Sequence, residues 1–417
     1  MNVYLRTFGC RANHYDSEVV RAMLETSGHA IVASPAEADV AVFNSCAVTS
    51  DAEAELRKVV RHAAREQPAL RSIVMGCAAA LDEDRQEPLR IRSLPTVQHV
   101  IGGADLPALA QALELAPVAQ SVRTRAQTGV RALLRIQDGC DEHCTFCATT
   151  IARGANRSRP ADDLVREALL LSERHAEIVI TGIHIGTYGV DIGSSLGALM
   201  ARLVRDVPSV RLRLSSLEAT EIDDTLAELL VGAPRQIAPH IHAPLQSGSD
   251  RVLRRMGRHW YSAASYARAL ERLAARMPVF GLGADVIAGF PGETEEDHAS
   301  TVELVDRLPF TYLHVFPYSR RPGTPADRLR DHLSPILVSK RAADLRELAA
   351  GKAAAYRASR SGGLADVIAI GGRRERDAIT GDYLTVMPTD PTVARGARFT
   401  ARLALEDDRL LAVSVDQ

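Results

Sequence analysis

Three cysteines stand close together in the run Ile136-Gln-Asp-Gly-Cys140-Asp-Glu-His-Cys144-Thr-Phe-Cys147, a CxxxCxxC spacing. Three thiolates this near one another can hold three irons of a cubane cluster and leave the fourth iron open to a small molecule. A four-cysteine set, by contrast, serves electron transfer. A zinc knuckle is one rival, with His143 inside the loop as the fourth ligand. A disulfide is another, in a secreted chain. Three further cysteines, Cys10, Cys46 and Cys77, lie far apart, yet each follows an apolar strand-like run: Val3 to Gly9, Val40 to Ser45, and Ile73 to Gly76. Neighbouring strands of a parallel sheet end along one edge, where ligands bind, so three separate thiols could meet at one point. The competing reading is three unrelated core residues, because a free thiol packs as a small hydrophobe.

Those cysteines need elements to place them. Residues 1–115 read as strands near 2–7, 39–44 and 72–75, alternating with amphipathic helices near 15–27 and 51–66. That alternation predicts a parallel α/β domain. Residues 116–130 lack apolar periodicity and read as a linker. Across 131–335, strands are expected near 132–137, 177–182, 210–216, 240–246, 283–288 and 312–317. Helices fall between them, near 160–174, 195–206, 223–231, 262–276 and 294–307. Six such units predict a partial (βα)6 version of the parallel TIM-like barrel, with the CxxxCxxC loop after its first strand, at the C-terminal face where barrel sites form. An Ala/Arg-rich helix follows, near 335–359, and occupies a connecting segment 336–360. Ser361-Gly-Gly363 breaks it. Residues 361–417 hold five short strands that fit a small antiparallel β-barrel. The fold class is therefore α/β with a terminal all-β module.

Composition bounds the function. The chain has 417 residues, 46% of them apolar, which suits several globular domains. No run of eighteen apolar residues predicts a membrane span, and Met1 to Thr7 lacks the apolar core of a signal peptide. The expected home is the cytoplasm, where thiols stay reduced and serve metals. A net charge of −2 excludes a uniformly basic nucleic-acid binder. Charge is local instead. Residues 251–276 carry seven arginines against Glu271, and residues 340–360 carry six Lys/Arg against Asp344 and Glu347. Such patches meet a phosphate backbone or simply form solvated helix faces.

Polar residues at the expected strand ends complete the candidate site. Gly182, in Thr181-Gly-Ile-His184-Ile-Gly186, permits close backbone approach to a ligand; His184 reads as a satisfied polar residue. Ser215 and Glu218, in Arg213-Leu-Ser-Ser-Leu-Glu218, offer hydrogen bonds to a ribose or an amino group. Gln246 follows His240-Ile-His242-Ala-Pro-Leu and faces the barrel mouth. Asp285 stands in an otherwise apolar strand, where a carboxylate without a partner is costly. A functional Asp and a structural ion pair both satisfy that condition.

The chain resembles the methylthiotransferases of the radical S-adenosylmethionine (SAM) superfamily, over nearly its whole length. The resemblance rests on Gly9-Cys10-Arg-Ala-Asn13 with Asp16-Ser-Glu18, Asn44-Ser-Cys46-Ala-Val-Thr49, Gly76-Cys77, the CxxxCxxC, and Ala152-Arg-Gly154 with Arg157-Ser-Arg-Pro160. It also rests on Pro244-Leu-Gln-Ser-Gly-Ser-Asp250, Gly289-Phe-Pro-Gly-Glu-Thr294 and Val315-Phe-Pro-Tyr-Ser-Arg-Arg-Pro-Gly-Thr324. It implies two 4Fe–4S clusters, one on Cys140, Cys144 and Cys147 for cleaving SAM, the other on Cys10, Cys46 and Cys77 for presenting sulfur. It also implies that Gly182 contacts the methionine end of SAM, beside which Ser215, Glu218, Gln246 and Asp285 stand as the further cofactor-binding candidates. It implies a one-electron donor such as flavodoxin or ferredoxin and a TRAM-like tail that meets RNA. Cys46-Ala-Val-Thr49 and Gln137-Asp-Gly-Cys140 look most like the branch acting on carbon 2 of N6-threonylcarbamoyladenosine at position 37 of tRNA. Related branches modify isopentenyladenosine in tRNA or an aspartate of a ribosomal protein. Two departures from the family pattern stand out: Ala78 where Tyr is common, and Ala-Thr-Thr-Ile after Cys147 where a Pro is common. A non-catalytic Fe–S protein that binds RNA is the alternative of another class. It gives no reason for both cysteine sets to stop at three.

Overall fold

The computed structural model describes residues 1–46, 50–84, 91–116, 126–321, 323–371 and 377–415. Ala47, Val48 and Thr49 of the second cysteine motif, residues 117–125 of the expected linker, and Pro322 lie outside them. The chain divides into two compact units. One joins residues 1–128 to 137–157 and 319–327. The other holds 129–136, 158–318 and 328–417.

In the first unit, five parallel strands form one sheet in the order β2-β1-β3-β4-β5. They are β1 (Asn2–Thr7), β2 (Ala30–Val32), β3 (Val40–Ser45), β4 (Arg71–Gly76) and β5 (Val97–Gly102). The helices are α1 (Arg11–Thr26), α2 (Ser50–Glu66), α3 (Cys77–Asp84) and α4 (Leu106–Ala112), with α5 (Thr149–Arg153) just after the CxxxCxxC run. The expected central strands form as predicted. Strand β3 is buried at every residue, which is why its apolar run was legible. The edge strands β2 and β5 escaped prediction: β2 has three residues, and β5 has exposed Gln98 and His99 in its middle. Ala148 and Ala152 pack into the same core as Phe43, Ala78 and Ala79.

In the second unit, six parallel strands run in two sheets, β10-β9-β6 and β11-β12-β13. They are β6 (Ala132–Arg135), β9 (Glu177–Thr181), β10 (Arg211–Leu214), β11 (His240–His242), β12 (Gly281–Ala288) and β13 (Tyr312–Pro317). Two-residue strands β7 (Gln137–Asp138) and β8 (Arg157–Ser158) flank the cysteine loop in sequence. Single parallel bridges, Leu212 to Ile237 and Ser216 to His242, join the sheets into one open six-stranded barrel. Helices α6 (Ala161–Ser172), α7 (Leu196–Asp206), α8 (Asp224–Gly232), α9 (Asp250–Arg255), α10 (Ala263–Ala274) and α11 (Glu295–Arg307) connect the strands, and α12 (Pro335–Ser359) follows. Local chemistry starts them. Thr294 and Asp297 form a reciprocal capping box at α11, and Ser334 caps α12 ahead of Pro335. No helix among the described residues is long and apolar enough to cross a membrane.

The tail closes into a barrel, β14-β15-β16-β18-β17, from β14 (Leu364–Ala369), β15 (Ala378–Thr380), β16 (Thr385–Pro388), β17 (Arg398–Glu406) and β18 (Arg409–Ser414). It is not wholly antiparallel: β16 and β18 pair in parallel. Directions cannot alternate all the way round an odd number of strands, so a closed five-stranded barrel needs at least one parallel pair.

A buried ion cluster fastens this tail to the larger barrel. Glu177 accepts from Arg211 Nε at 2.6 Å and Arg213 Nε at 2.9 Å, and all three side chains are fully buried. Arg211 then donates to the carbonyl and carboxylate of Asp366, and Arg213 to the carbonyls of Thr380 and Gly381. Burial would raise the Glu177 carboxyl, but Arg213 and Arg211 outweigh it and hold the group well below the usual carboxylate range.

Candidate functional site

The sheet of the first unit brings Cys10, Cys46 and Cys77 together. Cys10 occupies the N-cap of α1, Cys46 follows β3, and Cys77 opens α3. Asn13 stands among them, with Oδ1 3.9 Å from Cys10 Sγ and 3.8 Å from Cys77 Sγ. Its Nδ2 donates to the carbonyls of Phe8 and Ser45, clamping the ends of β1 and β3. Gly9 has φ +94°, and a Cβ there would stand 2.4 Å from Cys46 Sγ. Only glycine allows this backbone to pass so near that sulfur. Desolvation pushes the Cys77 thiol up to about 11, against the pull of Arg153 and with Cys10 and Cys46 adding to the rise. A site that resists bare thiolates yet gathers three sulfurs suits a metal group that supplies the compensating charge.

The second triplet is built by its own loop. Gly139, at φ +73°, leaves no room for a Cβ, which would fall 1.9 Å from the carbonyl of Ala155. Cys140 N–H donates to Gly154 O, and Cys147 N–H to Cys144 O. Backbone amides of Glu142 and Thr149 donate to Cys140 Sγ and Cys147 Sγ, both at 3.4 Å. Such N–H···S bonds favour thiolate ligands. The loop is also held from outside: Ala326 N–H donates to Thr145 O and Arg321 to Phe146 O. All six cysteines are free, and His143 is exposed on the loop. Both triplets lie in one unit and share one connector. Arg153, at the end of α5, donates from Nε to Cys77 Sγ at 3.4 Å.

The remaining candidates belong to the second unit. Gly182 follows β9, and Ser215 is buried just after β10. Glu218 is buried and ion-paired with Arg258, whose guanidinium lies 4.6 Å from the Trp260 ring centroid. The second oxygen of Glu218, Oε2, is buried with no hydrogen-bond partner among the described residues. Burial raises the Glu218 carboxyl and Arg258 opposes the rise. Gln246 has φ +63°, a sparsely populated conformation for a residue with a side chain; its backbone bonds on both sides to β12, from N–H to Asp285 O and from O to Ile287 N–H.

Asp285 has found its partners. His242 Nε2 lies 3.0 Å and His314 Nδ1 3.2 Å from its Oδ1. Burial would raise this carboxyl; the two imidazoles more than offset that and hold it well below its ordinary value. Tyr312 hydroxyl continues the chain, 3.0 Å from His242 Nδ1 and 2.9 Å from His240 Nε2. His184 pairs with Glu221, as a satisfied polar residue should.

Sequence reasoning assigned no role to Arg153, Asn13 or His314, and it placed Arg258 only within the basic patch. The apolar strand around Asp285 was a usable signal for a partner, but not for which one. The basic patch of 251–276 is largely spent internally: Arg251, Arg255, Arg258 and Arg276 pair with Asp297, Asp331, Glu218 and Glu228.

This architecture, a parallel α/β sheet and an open six-stranded barrel with a CxxxCxxC loop, is that of a radical SAM enzyme. Residues 134–305 match the Radical SAM superfamily, and residues 2–102 match a family described as uncharacterized protein family UPF0004. The chain is 34% identical over 365 residues to the threonylcarbamoyladenosine tRNA methylthiotransferase MtaB of Thermotoga maritima, covering 85% of this chain and 83% of the relative. To the protein of the same name from Rickettsia prowazekii it is 38% identical over 339 residues, covering 78% and 77%. To the tRNA-2-methylthio-N(6)-dimethylallyladenosine synthase of Acidothermus cellulolyticus it is 32% identical over 399 residues, covering 90% and 79%. Among solved structures, the radical SAM methyltransferase TsrM from Kitasatospora setae shares the fold, with a TM-score of 0.58 at 14% identity over 78% of this chain and 75% of that one. The chain belongs to the radical SAM tRNA methylthiotransferase family.

Proposed function

We propose that this protein adds a methylthio group to carbon 2 of N6-threonylcarbamoyladenosine at position 37 of tRNA. The observation that supports it most is the arrangement of the six cysteines as two sets of three, with no seventh in the chain to close either set. In this reading Cys140, Cys144 and Cys147 hold one 4Fe–4S cluster, and Cys10, Cys46 and Cys77 hold the second. When bound, the clusters and SAM supply the one-electron chemistry that an unactivated C–H bond requires, and the sulfur. The chain's own residues bind and orient. Glu218, with its buried Oε2, and Ser215 would offer hydrogen bonds to the SAM amino group or ribose. The backbone at Gly182 and at Gln246, with its φ of +63°, would leave room for close approach. Asp285, fixed by His242 and His314, presents a placed carboxylate. The working division is 1–115, 116–130, 131–335, 336–360 and 361–417, with a TRAM-like tail that meets RNA. A cytoplasmic setting and a flavodoxin or ferredoxin donor complete the reading.

Relatives named for dimethylallyladenosine make isopentenyladenosine-37 the second substrate to test. Anaerobic reconstitution should give about eight irons per chain, and replacing Cys10, Cys46 and Cys77 by Ala should leave about four. That variant should release deoxyadenosine from SAM without making methylthio product. Product from it would sink the division of labour. Mass spectrometry of tRNA nucleosides from a deletion strain decides the substrate. Loss of the methylthio form of threonylcarbamoyladenosine supports the proposal. Loss of the isopentenyl form, or a change confined to a ribosomal protein, overturns it.

A further inference from the structure

Arg153 is spent in an unusual way. Its side chain is 2% exposed. Nη2 donates to Asn13 Oδ1 at 2.6 Å and to Asp16 Oδ2 at 2.9 Å, and Nη1 to Asp138 Oδ1 at 3.1 Å. The two carboxylates alone account for burying the charge. They do not account for Nε, which is directed at Cys77 Sγ. A guanidinium presents its donors in a fixed fork, so anchoring the Nη atoms on Asn13, Asp16 and Asp138 aims the Nε–H. The aim is therefore set by three residues, one of which, Asn13, also lies against Cys10 Sγ. Arg153 itself comes six residues after Cys147, on the segment that carries the other triplet.

Resting on the reading of Cys10, Cys46 and Cys77 as a cluster site, we propose that Arg153 is a positioning residue that holds the Cys77 ligand and raises the reduction potential of that centre. One-electron reduction makes a cluster more negative without breaking a bond. Hydrogen bonds to ligand sulfurs and nearby positive charge stabilise the reduced form. A charged donor in contact with a ligand sulfur supplies both. The same contact makes placement of one triplet's ligand depend on the segment that follows the other.

The test uses the full chain with Cys140, Cys144 and Cys147 replaced by Ala, so that a single cluster gives the signal. After anaerobic reconstitution, iron is counted and the midpoint potential is read by electron paramagnetic resonance during reductive titration. The parent should hold about four irons. Arg153→Met should move the midpoint to more negative potential. Arg153→Lys, which keeps the charge and loses the fork, should fall between. Arg153→Met strands Asp16 and Asp138, so the paired variant Asp16→Asn with Arg153→Gln is measured beside it. It removes one charge of each sign and should show a smaller negative shift, the part due to the lost Nε–H···S bond. Equal midpoints in parent and variants with iron retained overturn the proposal. Iron loss from every Arg153 variant makes the residue a scaffold and overturns it as well. A parent background that binds no iron instead defeats the two-cluster reading, and this inference with it.

Discussion

The two cysteine triplets reach the same ligand count by opposite routes. Cys140, Cys144 and Cys147 share one short loop, and amides within it and just after it, Glu142 and Thr149, serve two of its sulfurs. Cys10, Cys46 and Cys77 are 36 and 31 residues apart in sequence and meet because β1, β3 and β4 are adjacent and parallel. A loop of eight residues carries its site wherever the loop goes. A site at three strand ends exists only while the sheet is intact. The first triplet is a local property and the second a property of the fold, and they should fail differently.

The largest expected difference lies in the chemistry. Replacing Cys147 by Ala should abolish deoxyadenosine release from SAM while leaving the other triplet's irons in place. Release at the parent rate would contradict the assignment of the loop. Gly9→Ala comes next. Its Cβ would meet Cys46 Sγ at 2.4 Å on a left-handed backbone, so iron should drop from about eight to about four per chain, with SAM cleavage kept. An unchanged count would mean that the strand ends tolerate movement.

The contrast extends to stability. Glu177→Gln leaves Arg211 and Arg213 buried against a neutral group and should cost about 3–5 kcal/mol in urea unfolding at neutral pH. The folded Glu177 carboxyl titrates below its unfolded value, so its stabilisation is complete above about pH 4.3 and fades as the pH falls below that. The gap between parent and variant should therefore narrow on acidification. A gap that stays constant down to about pH 3 would remove the ion cluster as its cause. Asn13→Ala should have a smaller effect, about 1–3 kcal/mol, because it strands the buried carbonyls of Phe8 and Ser45. Iron retention by the loop triplet in that variant, against loss from the other, would sharpen the comparison.

The central strands and long helices were legible because apolar residues mark them: β3 and β9 are buried at every residue, whereas β10 is buried at every residue with two arginines among its four. The ends of the sheet were not. Three residues of β2 and the exposed middle of β5 carry too little pattern to stand out. The cysteines were legible by type and spacing. Their companions were not, because nothing local marks Arg153 as a donor to Cys77, 76 residues away. Likewise Asp285 announced its need of a partner, whereas His314 as that partner depends on the register of β12 against β13, which sets Asp285 beside His314.

The amino-acid order alone determined which residues have sulfur to offer, the spacing that makes one loop a ligand set, and the alternation that builds a parallel sheet and a barrel. Those are short-range properties, fixed by a few neighbouring side chains and by the period of burial. Only the tertiary structure decided that Cys10, Cys46 and Cys77 converge, that Arg153 aims a donor at one of them, and that Glu177 holds two arginines against the terminal barrel. Contacts between residues dozens to more than a hundred positions apart depend on strand order, register and the entropy of closing long loops, none of which is written in any single stretch of the chain.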